Sequence, residues 1–429
     1  MRKHTVLMIL WLLYTIPSQA YLDPGTGSMM LSIIIALIAT VIYSAKSFVF
    51  KIRFYLNRFL GKKIIKDKKI QIVFYNEGEQ YSTTFYPILL ELKNRNIDFL
   101  YLYSEKNDST VKRIENIDAQ YIDSGNKAFY YLNTLEADVC IMTTPGLDVL
   151  QIRRSKGVKH YCHISHSSAG CAGYEVFGID YFDSIITTNT YDKNFIIELE
   201  KIRKLPPKDI YIAGNPYLDM LSEKLKNIQI NKTNKITILL APTWGKTGLL
   251  SKYGKSLIGE LSKNTKFHII IRPHPQSIRY EKIIISELES QFSDRKNIEW
   301  DYENDGLVSM SKADLMLSDF SGIIFDFIFL FSKPVISIPT SITLKGKDYI
   351  DIHTPLWQID FFYKNTIVLA EENIDKISDL IIEGIDENRS RDKEIHEKYN
   401  PYSNHASKVA VDAIESILNK INGAQNDAK

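Results

Sequence analysis

From Lys69 onward, short apolar runs alternate with longer segments whose apolar residues recur at helical spacing. Strands that are apolar almost throughout, separated by amphipathic helices, are typical of a parallel sheet covered by helices on both faces. The clearest predicted helices of the first half are 81–94 and 190–204. The strands predicted there are 70–75, 97–103, 137–142, 158–163, 184–188 and 210–213.

The alternation starts again after a segment rich in Lys and Asn at 222–235, which we interpret as an interdomain linker. The sequence therefore predicts two doubly wound α/β domains, 69–221 and 236–400, with a ligand cleft at the carboxyl ends of the strands. A C-terminal helix and tail at 401–429 follow, and the helix could cross back to the first domain. The strands predicted for the second domain are 236–241, 267–272, 297–300, 313–317 and 334–338, and the helices are 252–264, 277–292 and 322–331.

The first 68 residues follow a different pattern. Residues 1–20 run from basic to apolar to small, which is typical of a signal peptide or a first hydrophobic segment. The segment 25–50 contains an uncharged stretch long enough for a transmembrane helix, and the juxtamembrane segment 51–68 is basic. The positive-inside rule then predicts a protein of the cytoplasmic (inner) membrane, single-pass or hairpin, with both α/β domains in the cytoplasm. The lipid bilayer is thus an expected partner.

Composition excludes several classes of protein. Lys and Arg number 53 against 51 Asp and Glu, and this balance gives no basic footprint for nucleic acid, so we expect no nucleic-acid partner. Cys140, Cys162 and Cys171 form no CxxC pair, which excludes a disulfide scaffold. His160 and Cys162 would lie on one strand face and His163 on the other, which argues against a tetrahedral zinc site. We predict neither a metal site nor a cofactor.

A Ser-Asp-Phe-Ser-Gly segment links a predicted strand of the second domain directly to a predicted helix. The backbone N–H groups and the dipole at such a helix start suit a phosphate group. Ser318 and Ser321 can add hydroxyl donors, and Gly322 permits close approach of the backbone. Asp326, in the first turns, could meet a ribose or sugar hydroxyl. In the alternative interpretation, Ser321 or Asp319 merely caps the helix.

The segment Arg272-Pro-His274-Pro follows another strand of the second domain. Two prolines hold this loop extended and rigid, which would display Arg272 and His274 at the strand end. A pair of cationic side chains suits a diphosphate, with Arg272 as a fork and His274 as a donor or catalytic proton source. The alternative is a structural histidine bonded to a carbonyl.

In the first domain, a strand ends in a loop of small polar residues that contains His163 and His166. Either imidazole is a candidate general base for a hydroxyl acceptor. Thr243 and Trp244, just past the first strand of the second domain, could line the cleft, although Trp244 could equally serve packing. Asn215 begins a helix after a strand and is at minimum a helix cap.

Three segments in combination resemble the CDP-glycerol glycerophosphotransferase family: Ala-Pro-Thr-Trp at 241–244, Arg-Pro-His-Pro at 272–275, and Ser-Asp-Phe-Ser-Gly at 318–322 with Asp326. The resemblance implies a GT-B fold of two Rossmann-like domains and a transferase of teichoic-type polymer synthesis. The implied partners are a CDP-activated polyol phosphate donor and a membrane-associated glycan or polymer acceptor.

The resemblance also implies roles for particular residues. The family has a His-Gly pair whose histidine acts on the acceptor hydroxyl, and His166-Ser167 matches that pair, with His163 as the rival. Ser167 in place of Gly, and the absence of the Lys that commonly follows, are departures that bear on the acceptor. The residues implied to serve the donor phosphates are Arg272, His274, Ser318, Asp319 and Ser321.

Three hypotheses follow from the sequence. The leading one is a membrane-anchored glycerophosphotransferase that acts on a cell-surface polymer or glycan. The second is another GT-B enzyme with a nucleotide-sugar donor, either a glycosyltransferase or a UDP-sugar 2-epimerase. The third is a membrane-tethered scaffold that retains the fold without catalysis. Release of CMP or of UDP would separate the first two hypotheses.

Overall fold

The computed structural model describes residues 37, 70–230, 234–303, 305–340, 347–384 and 393–427. The predicted segments 1–20 and 51–68 lie outside these residues, as does the predicted transmembrane segment 25–50 apart from the helical Leu37. Within the described ranges, no helix is both long enough and apolar enough to cross a membrane. The chain divides into two compact units, Met1–Lys69 and Ile70–Lys429, and the second unit contains two parallel β-sheets.

The first domain is built on a seven-stranded sheet in the order β3-β2-β1-β4-β5-β6-β7. All six neighbouring pairs run parallel. The strand order reverses direction between β1 and β4, and ligands of such sheets bind outside the carboxyl ends at this point. The strands are β1 (Ile72–Asn76), β2 (Leu100–Tyr103), β3 (Ala119–Tyr121), β4 (Glu136–Met142), β5 (Gly157–Ile164), β6 (Ser184–Thr187) and β7 (Asp209–Ile212).

Short polar side chains start several helices of the first domain. The Asn189 carboxamide accepts a hydrogen bond from the backbone N–H of Asp192, and the Asn215 carboxamide does the same for Tyr217. These caps satisfy N–H groups that have no partner inside the helix. The helices are α1 (Glu79–Asn94), α2 (Ser109–Arg113), α3 (Asn126–Leu132), α4 (Thr190–Arg203) and α5 (Pro216–Leu225).

The second domain is built on a six-stranded parallel sheet in the order β10-β9-β8-β11-β12-β13. Its order reverses direction between β8 and β11, which again opens the carboxyl edge to a ligand. The strands are β8 (Ile236–Leu240), β9 (Phe267–Ile271), β10 (Ile298–Trp300), β11 (Leu315–Ser318), β12 (Val335–Ser337) and β13 (Ile367–Val368).

Helices lie between the strands of this domain and after its last strand, and two 3-10 helices, Asp348–Asp351 and Glu371–Lys376, accompany them. Phe325 and Phe327 of α10 are almost completely buried in the core that this helix shares with the sheet. The helices are α6 (Leu249–Ser262), α7 (Pro275–Tyr280), α8 (Lys282–Gln291), α9 (Leu307–Lys312), α10 (Ile323–Phe331), α11 (Trp357–Asn365), α12 (Ile377–Glu383) and α13 (Lys393–Tyr399).

The final helix, α14 (Ala406–Asp427), returns to the first domain. Its apolar residues recur at helical spacing, and Val411, Ile414 and Ile417 are almost completely buried. They join the core that contains Phe85 of α1. The helix at the end of the described residues therefore completes the core of the first domain.

The structure differs from the sequence-based prediction in several places. Residues 222–225 of the predicted linker 222–235 belong to the last turn of α5. The predicted helix 277–292 is two helices, α7 and α8, which meet at Glu281. The Glu281 carboxylate accepts hydrogen bonds from Gly245 N at 3.1 Å and Ser251 Oγ at 3.0 Å, so tertiary contacts hold this break. The strands β3 and β13 were missed because they contain only three and two residues, too few to produce a periodic signal.

Candidate active site

At Ser168, the loop after β5 of the first domain meets the start of a helix of the second domain. Asn215 Nδ2 donates a hydrogen bond to Ser168 Oγ at 2.8 Å, and Ser168 Oγ donates one to Asp326 Oδ1 at 2.9 Å. Ser168 follows β5 in the first domain, whereas Asp326 lies in the first turn of α10 in the second. Gln358 Nε2 also donates to the carbonyl of Ala169 at 2.6 Å. The loop after β5 is therefore held against the start of α10.

His166 lies in this loop, two residues before Ser168, and is half-buried. Its Nδ1 is 3.2 Å from the hydroxyl of Tyr174, and the ring of Tyr81 packs edge-on against it with centroids 4.7 Å apart. Burial lowers the pKa of His166 to about 4, so the imidazole is neutral at neutral pH and can accept a proton. A bound anion would raise that pKa, because it stabilises the imidazolium form.

His163, the rival candidate base, is a residue of β5 and is fully buried. Its Nε2 is 3.2 Å from the same Tyr174 hydroxyl, and its Nδ1 makes no hydrogen bond with the described residues. Burial, and then the charge of His166, lowers the pKa of His163 to about 3. Of the two candidate bases, His166 is thus the less buried one.

The start of α10 is open. Gly322 is exposed, and a Cβ atom added there would meet nothing within 4 Å. No side chain caps this helix, so the alternative in which Ser321 or Asp319 caps it does not describe the structure. Ser321 is buried, and its backbone N–H donates to the carbonyl of Asp319 at 2.8 Å. The uncapped helix start is suited to an anion.

Ser318 and Asp319 support the neighbouring loop. The fully buried Ser318 hydroxyl donates to the carbonyl of Ala241 at 2.6 Å, so it is not available to a donor phosphate as the sequence suggested. The Asp319 carboxylate accepts hydrogen bonds from Thr243 N at 2.7 Å and Leu249 N at 2.9 Å. Burial raises the pKa of Asp319, and these backbone donors oppose the rise. Both side chains hold the loop after β8 in place.

Arg272 is also placed differently from the sequence-based expectation. It is buried, and its Nη1 donates to Asp301 Oδ2 at 2.7 Å in an ion pair. A Cβ atom added to Gly306 would approach Arg272 Nε to 2.8 Å, so the guanidinium packs directly on that backbone. The expectation that the two prolines display Arg272 at the strand end overlooked Asp301, which directly follows the neighbouring strand β10.

His274 remains at the edge of the second domain and is half-buried. Its Nδ1 accepts a hydrogen bond from Gln276 N at 3.1 Å, and it thereby caps α7. Burial lowers its pKa, so the ring is mainly neutral. A neutral imidazole that accepts at Nδ1 carries its hydrogen at Nε2, which is then a hydrogen-bond donor.

Trp244 forms an exposed aromatic surface beside His274. The indole is 48% exposed, and its ring centroid lies 6.5 Å from that of His274 and 6.2 Å from that of Tyr280. Thr243 is half-buried and is fixed through its backbone bond to Asp319. Trp244 thus belongs to the loop that Asp319 holds. That Thr243 and Trp244 line a cleft stays a prediction.

The carboxyl group of Asp326 has a strongly shifted pKa. Burial raises its pKa to about 7, and the hydrogen bond from Ser168 opposes that rise. Burial also raises the pKa of the neighbouring Tyr217, and the charge of Asp326 raises it further. Near neutral pH, the carboxyl group at this junction therefore changes between its neutral and charged forms.

Three residues of the site were missed in the sequence. Ser168 stands two positions after His166 in a small polar loop, so that motif could have identified it. Tyr81 and Tyr174 carry no comparable signal, because only the folded chain brings them to His166.

In the described ranges, no group of three or more His, Cys, Asp or Glu side chains is arranged to hold a metal ion. Cys140, Cys162 and Cys171 are buried free thiols.

Solved structures share this fold. The wall teichoic acid polymerase TagF, in a crystal soaked with CDPG, aligns with a TM-score of 0.53 and 15% identity over 89% of this chain and 99% of that chain. A putative UDP-N-acetylglucosamine 2-epimerase from Listeria monocytogenes aligns with a TM-score of 0.57 and 12% identity over 82% of this chain and 98% of that chain. UDP-GlcNAc 2-epimerase from Neisseria meningitidis aligns with a TM-score of 0.54 and 16% identity over 81% of this chain and 100% of that chain.

At these identities the likeness establishes the fold alone, a GT-B-like pair of parallel-sheet α/β domains. No curated protein sequence matches the chain at a significant level. The family model of CDP-glycerol:poly(glycerophosphate) glycerophosphotransferases matches residues 56–411. The chain belongs to this family and is a transferase, as the combination of the three motifs indicated.

Proposed function

We propose that the protein transfers glycerol phosphate from CDP-glycerol to a hydroxyl of a membrane-associated glycan or polymer. Family membership supports the reaction class. The observation that carries the proposal is the hydrogen bond between Ser168 and Asp326, which brings the loop of His166 to the start of α10. The candidate base and the candidate anion site thus lie on the two segments that this bond joins.

His166 is the base in this proposal. The acceptor hydroxyl attacks the phosphorus atom that carries glycerol, and its proton passes to His166 as the new O–P bond forms. The pKa of about 4 makes the free imidazole a weak base. Binding of the anionic donor beside it raises this pKa and so strengthens the base when the substrate is present.

The second domain holds the leaving group. As the new bond forms, the P–O bond to the cytidine phosphate breaks, and CMP leaves with the added negative charge. In this proposal the N–H groups of Gly322 and Ile323, at the uncapped start of α10, stabilise this developing charge. His274 Nε2–H is a second candidate donor, and Ser321 lies beside the helix start.

The donor can be identified by a thermal-shift panel of CDP-glycerol, CDP-ribitol, UDP-GlcNAc and GDP-mannose on the full-length chain. A ligand that binds only the folded state raises the melting temperature with its occupancy. We expect CDP-glycerol to give the largest rise and His166→Gln to retain it, because His166 serves the acceptor. A rise with UDP-GlcNAc alone would contradict the proposal and favour a nucleotide-sugar enzyme.

We also propose that the protein is anchored in the cytoplasmic membrane through residues 1–68, with both α/β domains in the cytoplasm. The uncharged stretch within 25–50 and the basic segment 51–68 support this arrangement. The test is alkaline extraction of membranes that contain either the full chain or a variant lacking residues 1–68. Release of the full chain by the extraction would contradict the proposal.

A further inference from the structure

We propose that Tyr174 is a positioning residue for His166, whose ring it holds through a hydroxyl placed between His166 Nδ1 and His163 Nε2. The inference rests on the proposed function, because it assigns His166 the role of base. It extends that function by identifying what orients the base and what supports the imidazolium once the proton has been accepted.

The contacts place Tyr174 between the two histidines. Its hydroxyl is 3.2 Å from His166 Nδ1 and 3.2 Å from His163 Nε2. The Tyr174 and His166 rings are stacked, with an interplanar angle of 21° and centroids 5.5 Å apart. Tyr174 is 8% exposed and His163 is fully buried, so water does not readily compete for these bonds. His166 therefore has one face and one nitrogen fixed by a single side chain.

The loop that carries Tyr174 is itself held by the second domain. Asp348 N donates to the carbonyl of Tyr174 at 2.8 Å, and the Asp348 carboxylate accepts a hydrogen bond from Phe177 N at 2.8 Å. Arg203 forms ion pairs with both Asp348 and Asp180. Tyr174 is thus fixed at its backbone by one domain while its hydroxyl orients a histidine of the other.

The hydrogen count explains why a tyrosine suits this place. When His166 takes the acceptor proton, both of its ring nitrogens carry hydrogen, and Nδ1–H needs an acceptor. The Tyr174 oxygen accepts that bond and directs its own hydrogen to His163 Nε2. Burial keeps His163 neutral, so its Nε2 can accept. No proton leaves Tyr174, whose pKa burial raises well above the usual value.

Other groups also face His166. Tyr81 of α1 contacts it through the edge of its ring, and a backbone hydrogen bond with Thr143, after β4, raises the pKa of the imidazole against the effect of burial. Tyr174 differs from these neighbours because its hydroxyl lies beside Nδ1 of His166 and also reaches the buried His163.

The first test compares Tyr174→Phe with wild type in glycerophosphate transfer by the full-length chain. We expect kcat to fall by about 10-fold or more while KM for CDP-glycerol stays unchanged. The acid limb of the kcat profile should move to lower pH, because the imidazolium loses the hydroxyl that accepts from Nδ1. Tyr161→Phe is the matched control, since it removes another buried hydroxyl, which accepts a hydrogen bond from Ser155 N at 2.8 Å. Unchanged kcat and pH profile in Tyr174→Phe would overturn the inference.

A second variant guards against misfolding of the first. His163→Phe keeps an aromatic ring against Phe182 but removes the acceptor of the Tyr174 hydrogen. We expect a smaller fall in kcat and a shift of the acid limb in the same direction. An acid limb that moves to higher pH would contradict the proposed chain of hydrogen bonds.

The third test needs no substrate and therefore separates this inference from the proposed function. Histidine ring signals of the ligand-free full chain are followed by NMR through a pH titration, with His166→Gln used for assignment. Tyr174→Phe should shift the His166 signal and lower its pKa, whereas His268, which is bonded to Glu299 in the second domain, should stay unchanged. A His166 signal that does not respond overturns the inference. A clear response in a chain without transfer activity overturns the proposed function instead.

Discussion

Ser168 and Asp326, 158 positions apart in the sequence, form a 2.9 Å hydrogen bond between the two domains. Because Ser168 follows His166 by two residues and Asp326 lies in the first turn of α10, this bond joins the loop that carries the candidate base to the helix whose start is the candidate anion site. A single carboxyl group with a pKa of about 7 therefore contributes to both the stability and the geometry of the cleft.

Asp326 makes the stability of the protein depend on pH. Its pKa is raised from an ordinary 3.8 to about 7, so its contribution is complete below pH 3.8 and is lost as the pH rises through 7. Asp326→Asn should therefore melt higher than wild type at pH 8, by about 2 °C or more, and the difference should be smaller at pH 5.

The comparison between variant and wild type isolates this effect. Burial lowers the pKa of His163 and of His166, so the folded protein loses stability as the pH falls. In wild type alone, this loss would obscure the effect of Asp326 on the melting temperature. Differential scanning fluorimetry of both chains from pH 5 to 8 measures the difference. A difference that does not grow with pH would show that burial does not raise the Asp326 pKa.

Gly322→Ala tests the anion site at the start of α10. The position has a φ of −60° and open space around its Cβ direction, so the variant should keep its stability to within about 1 kcal/mol. A methyl group there would nevertheless meet a bound phosphate, and we expect KM for CDP-glycerol to rise several-fold.

Gly259→Ala is the control for this substitution. Gly259 lies in α6, where an added Cβ would make only ordinary contact with Phe292 at 3.7 Å. The Gly259→Ala variant should be more stable than wild type by up to about 1 kcal/mol, with unchanged kcat and KM. Equal KM values for both glycine variants and wild type would place the donor phosphates elsewhere.

Asp301→Asn tests the structural role of Arg272. The substitution leaves a buried guanidinium without its charged partner and should lower the free energy of unfolding by about 3 kcal/mol. Urea denaturation measures this, with Asp294→Asn as the control because Asp294 is exposed and pairs with Arg295 only at 3.8 Å. A loss below about 0.5 kcal/mol in both variants would mean that the buried pair is not needed for stability.

Trp244→Ala tests whether the exposed indole contacts the donor. Since the ring is about half exposed, its removal should leave the melting temperature nearly unchanged. If it stacks on the nucleobase, KM for CDP-glycerol should rise by about 10-fold. Tyr181→Ala removes a similarly exposed ring from the first domain and should not change KM. Unaltered kinetics in Trp244→Ala would make the ring a surface feature only.

Local signals were enough to locate the sheets and the loops of the site. The apolar runs gave strands such as β5 and β11, and the polar segments at their carboxyl ends contain His166 and Gly322. This worked because strand periodicity and strand-end position are properties of neighbouring residues. Family membership followed from three such loops in their order along the chain.

Side-chain roles that depend on distant residues could not be predicted. Arg272 was expected at the surface, but Asp301, 29 positions later, pairs with it in the core. Ser318 was expected to bind a phosphate, but its hydroxyl is bonded to Ala241, 77 positions earlier. A pattern along the chain indicates which residues end a strand, whereas the neighbouring strand decides which of them remain available.

The most direct test is an assay of nucleotide release by the purified full-length chain. It is incubated with CDP-glycerol and a glycerol-phosphate-terminated primer, and in parallel with UDP-GlcNAc, for wild type and for His166→Gln. The account predicts primer-dependent release of CMP that is lost in His166→Gln although this variant still binds the donor. Release of UDP from UDP-GlcNAc, or CMP release that is unchanged in His166→Gln, would contradict it.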